Sequence, residues 1–121
     1  MSDISVLLVG HSSSSGGEYE GVKTFLSSLL GEDRVYLGFL STAPLVADVI
    51  DSIKDKDVMV VPLLFAKGHH FTKDIKNGEG SVIKLLERNG HNVLFDDKGL
   101  LEYDEVKEAI SKIILKSYSL N

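Results

Sequence analysis

The sequence predicts one α/β domain over residues 1–121, a four-stranded parallel sheet of order 2-1-3-4 flanked by helices. Three observations carry that prediction. The runs Ile4–Val9 and Val58–Phe65 are short, continuously apolar and rich in Val, Leu and Ile, the pattern of strands buried on both faces. Helical patterns separate the apolar runs, and strand–helix–strand alternation imposes parallel pairing. Histidines follow directly on both runs, His11 after the first and His69-His70 after the second. Parallel strands bring such residues to one rim, where open α/β sheets bind ligands.

Taken in order, Ile4–Val9 is strand one and SSSSGGEYEG a polar turn. GVKTFLSSLLG follows as a helix with Val22, Phe25, Leu26, Leu29 and Leu30 on its apolar face. Arg34–Leu40 reads as strand two, ending in FLSTAP. Pro44 then opens a helix carrying Leu45, Val46, Val49, Ile50 and Ile53. Strand three is Val58–Phe65, although Pro62 removes a ladder donor and predicts a local irregularity. AKGHHFTKDIKNGEG reads as a long functional loop, followed by a helix at Ser81–Arg88 that stops at Gly90. A short strand four spans Asn92–Phe95. The last helix runs from Asp104 to Tyr118, with Val106, Ile110, Ile113, Ile114 and Leu115 facing the core.

Composition narrows the function classes. With 43% hydrophobic and 26% charged residues the chain has ordinary globular usage. The absence of cysteine removes a disulfide framework, a thiolate nucleophile and iron–sulfur ligation. No basic stretch precedes a long apolar segment, and no apolar run reaches the roughly 18–20 residues of a membrane span. A cytoplasmic protein with no membrane partner is expected. A net charge of −5, with lysines dispersed among acids, argues against nucleic acid as a partner.

His11 stands beside Ser12–Ser15 and Gly16-Gly17, a set of hydroxyls and backbone donors able to hold a metal and an anionic group together. A strand-end histidine that merely caps a turn is the plainer alternative. GHSSS is similar to the hydrolase elbow G-x-S-x-G, but Ser14 occupies the place of the second glycine. His91, the one later histidine after the 69–70 pair, opens a strand and reads as a surface turn residue. Neighbouring histidines on an extended backbone point different ways, so His69 and His70 do not chelate as one pair. Helical His spacing, the stronger zinc signal, is missing. Asp74 orients an imidazole or caps the following turn. Lys67 and Lys73 flank the histidines as candidate partners for substrate carboxylates, or as solvated loop lysines.

LLVGHSS and VVPLLFAKGHHFTKDI together resemble the small sirohydrochlorin chelatases, the short class II tetrapyrrole chelatases. The match runs through Pro62, Leu63, Ala66, Gly68, His70, Asp74 and Ile75, and GFLSTAPLV is similar to the family's second-strand segment, with Ser41 where the family carries an acid. The resemblance implies a flavodoxin-like, chelatase-type sheet that inserts a divalent metal into a sirohydrochlorin-type tetrapyrrole on the way to cobalamin or sirohaem. His11 and His70 would be the catalytic, metal-holding pair. Ser12, Ser13, Lys67, Gly68, His69 and Lys73 would contact substrate. Co²⁺, Fe²⁺ or Ni²⁺ would be a substrate, no organic cofactor is implied, and a homodimer would complete the cleft. Two rival readings remain open: a protein that carries metal or tetrapyrrole without turnover, and a phosphate or nucleotide binder that uses the serine loop.

Overall fold

In the computed structural model residues 3–13, 17–69 and 71–119 are described. Four parallel strands, β1 (Ile4–Gly10), β2 (Val35–Phe39), β3 (Asp57–Pro62) and β4 (Asn92–Phe95), form one sheet of order β2-β1-β3-β4. Both architecture and strand order are those the alternating runs predict. Period-two alternation splits β1 between two cores. Leu7 and Val9 join Ile50, Val58, Val60, Ile75, Val82 and Leu86 on one face, while Val6 and Leu8 join Val35, Leu37 and Phe39 on the other.

Several boundaries move, each for a physical reason. Helix α1 spans Glu18–Leu30, so Glu18–Glu20 belong to the helix and not to the preceding turn. Gly17, at φ 71°, supplies the left-handed residue before it, and Gly21 donates to its carbonyl at 3.0 Å. Helix α2 is only Val46–Ile50. Pro44 lies in a bend and Leu45 is extended instead of opening it, because the Pro44 carbonyl accepts from Phe39 N and Leu45 bridges to Phe39 beside β2. Leu45 is accordingly exposed, whereas Val46, Ile50 and Ile53 are buried. Gly38 lets α2 lie on β2, since a Cβ there would meet Val46 Cα at 2.7 Å.

Pro62 is the last residue of β3, not an interior one. Leu63 N donates to Val9 O at 2.7 Å, so position 62 turns its missing donor toward β4, which ends opposite Val60. No ladder bond is lost, and Leu63–Phe65 lie beyond the strand. The predicted long loop is partly helical: Phe71–Asn77 forms a wide π-type turn that buries Phe71 and Ile75, with Gly78 N donating to Lys73 O at 2.8 Å. Helix α3 is Val82–Arg88, capped by Ser81 Oγ, which accepts from Lys84 N, and stopped at Gly90 as expected.

The largest departure concerns the outer helices. Helix α4 (Asp104–Ser119) occupies the expected residues, yet none of them is buried, and Ile113, Ile114 and Leu115 are exposed instead of facing the core. Phe25, Leu29 and Leu30 of α1 are likewise exposed, and only Leu26 of its apolar face packs against the sheet core.

Candidate functional site

Strand β1 ends at Gly10, so His11, Ser12 and Ser13 leave the carboxyl end of the sheet, with His11 exposed. The adjacent end of β2 holds this turn in place. Leu40 N donates to Gly10 O at 3.0 Å, and Ser41 donates twice to the His11 carbonyl, from N at 3.0 Å and from Oγ at 2.9 Å. Thr42 Oγ1 accepts from Ser13 N at 2.7 Å and lies 3.1 Å from Ser13 Oγ. Ser41, which stands at the position where the resemblance leads one to expect an acid, therefore fixes the backbone from which the His11 imidazole projects.

Strand β3 delivers the second segment. Lys67, Gly68 and His69 are exposed just before the π-type turn, and Thr72 N donates to Gly68 O at 3.2 Å. His70 lies outside the described residues, as do Ser14, Ser15 and Gly16. Asp74 falls within the 71–77 turn and so does not cap it. Lys73 is exposed on the same turn. The common origin of the two segments follows from register, because Val9 pairs Pro62 at the ends of neighbouring strands.

Lys67 is directed toward the segment after β4. Its Nζ donates to Asp97 O at 3.2 Å and lies 3.9 Å from Glu102 Oε1 and 4.0 Å from Asp97 Oδ1. Lys76 Nζ reaches Asp97 Oδ2 at 2.7 Å, and that hydrogen bond holds the Asp97 carboxylate below the usual range, with the charge of Lys67 adding to it. His91 sits at the opposite end of the sheet, its Nδ1 2.8 Å from Asp55 O, in keeping with its exclusion from the rim.

The sequence reading missed an apolar hollow of about 410 Å³ at the rim, formed by Tyr19, Val22, Leu63, Leu64, Phe65 and Leu100 and bordered by Glu18. Phe65 is 62% exposed there. The available signal was Pro62: a strand ended by proline leaves Leu63–Phe65 as apolar residues with no sheet to enter. Tyr19 packs edge-on against Phe39, with ring centroids 5.4 Å apart, and so anchors the first turn of α1 beside the rim.

Among the described residues no group of three or more His, Asp or Glu side chains is set to hold a metal ion, and no helix is long and apolar enough to cross a membrane. A search of the curated proteins returns no match. The model of the cobalt chelatase (CbiK) family matches residues 2–118. That family inserts a divalent metal, its substrate, into a tetrapyrrole. With residues 2–118 matched and an α/β sheet carrying His11 just past the carboxyl end of β1, the protein belongs to the cobalt chelatase (CbiK) family.

Proposed function

We propose that the protein inserts Co²⁺, with Fe²⁺ or Ni²⁺ as further candidates, into sirohydrochlorin or a closely related tetrapyrrole, working as a homodimer in the cytoplasm. The observation that carries this reading is His11 at the rim, its carbonyl gripped by both donors of Ser41, within a chain matched by the family over residues 2–118. Imidazole nitrogen suits these three ions. His11 and His70 are assigned as the pair that holds the incoming metal, the latter on the motif spacing from Pro62 to Ile75.

Insertion forms metal–nitrogen bonds to the macrocycle and releases two pyrrole protons, so an acceptor must stand near the ring. Ser41 cannot serve, because a neutral hydroxyl is far too weak a base to hold a pyrrole proton. Glu18 borders the hollow and is assigned that task. The exposed Phe65 and its apolar neighbours offer a surface for the face of the macrocycle. Ser12, Ser13, Gly68, His69 and Lys73 are assigned to its carboxylate edge. Lys67 would contribute there only by leaving Asp97 and Glu102.

The test is the absorbance change of sirohydrochlorin with Co²⁺ and the purified protein, beside the uncatalysed reaction and a His11→Ala, His70→Ala double variant. Acceleration that disappears in the double variant is expected; equal rates for wild type and double variant would sink the assignment. Ser41 also favours a second reading, a carrier that binds metal or tetrapyrrole without turnover. Under that reading Ser41→Glu raises the insertion rate from the uncatalysed level, whereas in an active enzyme it disturbs the His11 turn and slows insertion.

A further inference from the structure

The paired histidines His69-His70 are bracketed in sequence by Lys67 and Lys76, and one residue outside the segment receives both lysines. Lys76 Nζ donates to Asp97 Oδ2 at 2.7 Å. Lys67 Nζ donates to the Asp97 carbonyl at 3.2 Å and lies 4.0 Å from its Oδ1. Glu102 supports the Lys67 end, its Oε1 3.9 Å from Nζ while its Oε2 accepts from Gly99 N at 2.8 Å. The two ends of the histidine segment are thus drawn to a common point.

Asp97 is itself fixed in place, because the chain around it is clasped to the loop after β3. Leu100 N donates to Leu64 O at 2.8 Å, Leu101 N to Phe65 O at 2.9 Å, and Gly99 lies so close that a Cβ would come within 2.8 Å of Phe65 O. Inside the bracketed segment Phe71 and Ile75 are buried. Between the Lys67 contact and the buried Phe71 the chain has only Gly68, His69 and His70. Such a lead-in is costly to order, since glycine loses more conformational freedom than any other residue. The lysine and aspartate side chains are 39–42% exposed, and ion pairs of that exposure add little to global stability. Their effect is local, limiting the positions open to the histidine lead-in.

We propose that Asp97 is a positioning residue for metal binding: by holding Lys67 and Lys76 together it orders the lead-in to the paired histidines before the ion arrives. A ligand segment ordered in advance loses less conformational entropy on binding and so binds more tightly. The proposal rests on the reading above that this segment holds the incoming ion, and it adds a residue that touches neither the ion nor the macrocycle.

Co²⁺ calorimetry, beside amide hydrogen exchange of residues 67–71 without metal, is the test. In Asp97→Asn that exchange should accelerate and Co²⁺ should bind roughly ten-fold more weakly, the lower end of what loss of a supporting partner costs at a metal site, with the urea midpoint retained. Asp97→Glu should restore most of the affinity. Lys76→Met should weaken binding in the same direction, and Lys76→Met, Asp97→Asn should be no weaker than Asp97→Asn alone, because both cut one clamp. Asp3→Asn removes the 2.8 Å pair with Arg34 at the opposite end of the sheet and should leave Co²⁺ affinity unchanged. With sirohydrochlorin present, Asp97→Asn should show a raised KM for Co²⁺ and an unaltered kcat. Unchanged exchange or affinity in Asp97→Asn, additive losses in the double variant, equal weakening in Asp3→Asn, or a fall in kcat alone overturns the proposal. If the His11→Ala, His70→Ala chain binds Co²⁺ as the wild type does, the metal pair fails and the role of Asp97 with it; if that chain loses Co²⁺ while Asp97→Asn keeps it, the positioning role alone fails.

Discussion

At the scale of single residues, Ser41 shows how an unremarkable side chain acquires a role from its neighbours. It carries no charge and lies exposed, yet with its own N–H it supplies both hydrogen bonds that the His11 carbonyl receives from the β2 end. Ser41→Ala removes one of the two, and the expected result is Co²⁺ binding weakened several-fold by calorimetry with the fold unchanged; unchanged affinity would show that the backbone bond alone holds the turn. Gly38 is decided by space, because its absent Cβ is what lets Val46 approach β2. Gly38→Ala should cost about 1–3 kcal/mol in urea unfolding, the usual penalty of overpacking. His11 was legible from sequence as a histidine after a buried strand. The grip of Ser41 on it was not, since it joins residues 30 apart that only the β1–β2 pairing brings together.

At the scale of elements, the 71–77 turn is the clearest case of tertiary context overriding local pattern. Lysines, a glycine and paired histidines surround it in sequence, and the two residues that make it part of the core, Phe71 and Ile75, are too few to set a periodicity. Burial of Phe71 against Phe95, with ring centroids 5.9 Å apart, ties the turn to β4. Phe71→Ala should destabilise the protein by about 3–5 kcal/mol and, by displacing the segment that carries His69, weaken metal binding as well. A stability loss within 1 kcal/mol of zero would contradict that anchoring. The same region is stapled by Lys76 and Asp97, whose carboxyl pKa is lowered in the folded state. The sign follows from linkage: this contribution is fully present above the unfolded carboxyl value of about 3.9 and is lost as pH falls through the lowered folded value. Amide exchange of residues 96–103 should therefore accelerate on acidification below about pH 4 beyond its intrinsic pH dependence, and Lys76→Met should abolish that excess.

At the scale of the molecule, the chain has a sheet with one well-covered face and one half-covered face. Leu7, Val9, Val58 and Val60 are sealed by α2, the 71–77 turn and α3, while Met59 and Leu94 on the reverse side are left to solvent in a single copy. Association that covers them links stability to concentration. The apparent unfolding temperature is expected to rise with protein concentration over a hundred-fold dilution series, and a temperature independent of concentration would identify a monomeric folding unit.

The fold was legible because its determinants are local. Buried parallel strands must be continuously apolar, helices must alternate with them, and the resulting topology fixes the order β2-β1-β3-β4 and the rim where His11 lies. The apolar periodicity of α1 and α4 was equally legible, but periodicity states only that a face must be covered and not by what. What covers α4 is decided by the hydrogen bonds of residues 96–103 to the loop after β3, contacts more than 30 residues apart that set the direction in which the helix leaves. The sequence by itself therefore determined the four strands, their pairing and the placement of His11. Only the tertiary structure decided the Ser41 clasp, the rim hollow and the uncovered outer face, because each depends on which distant backbone groups meet.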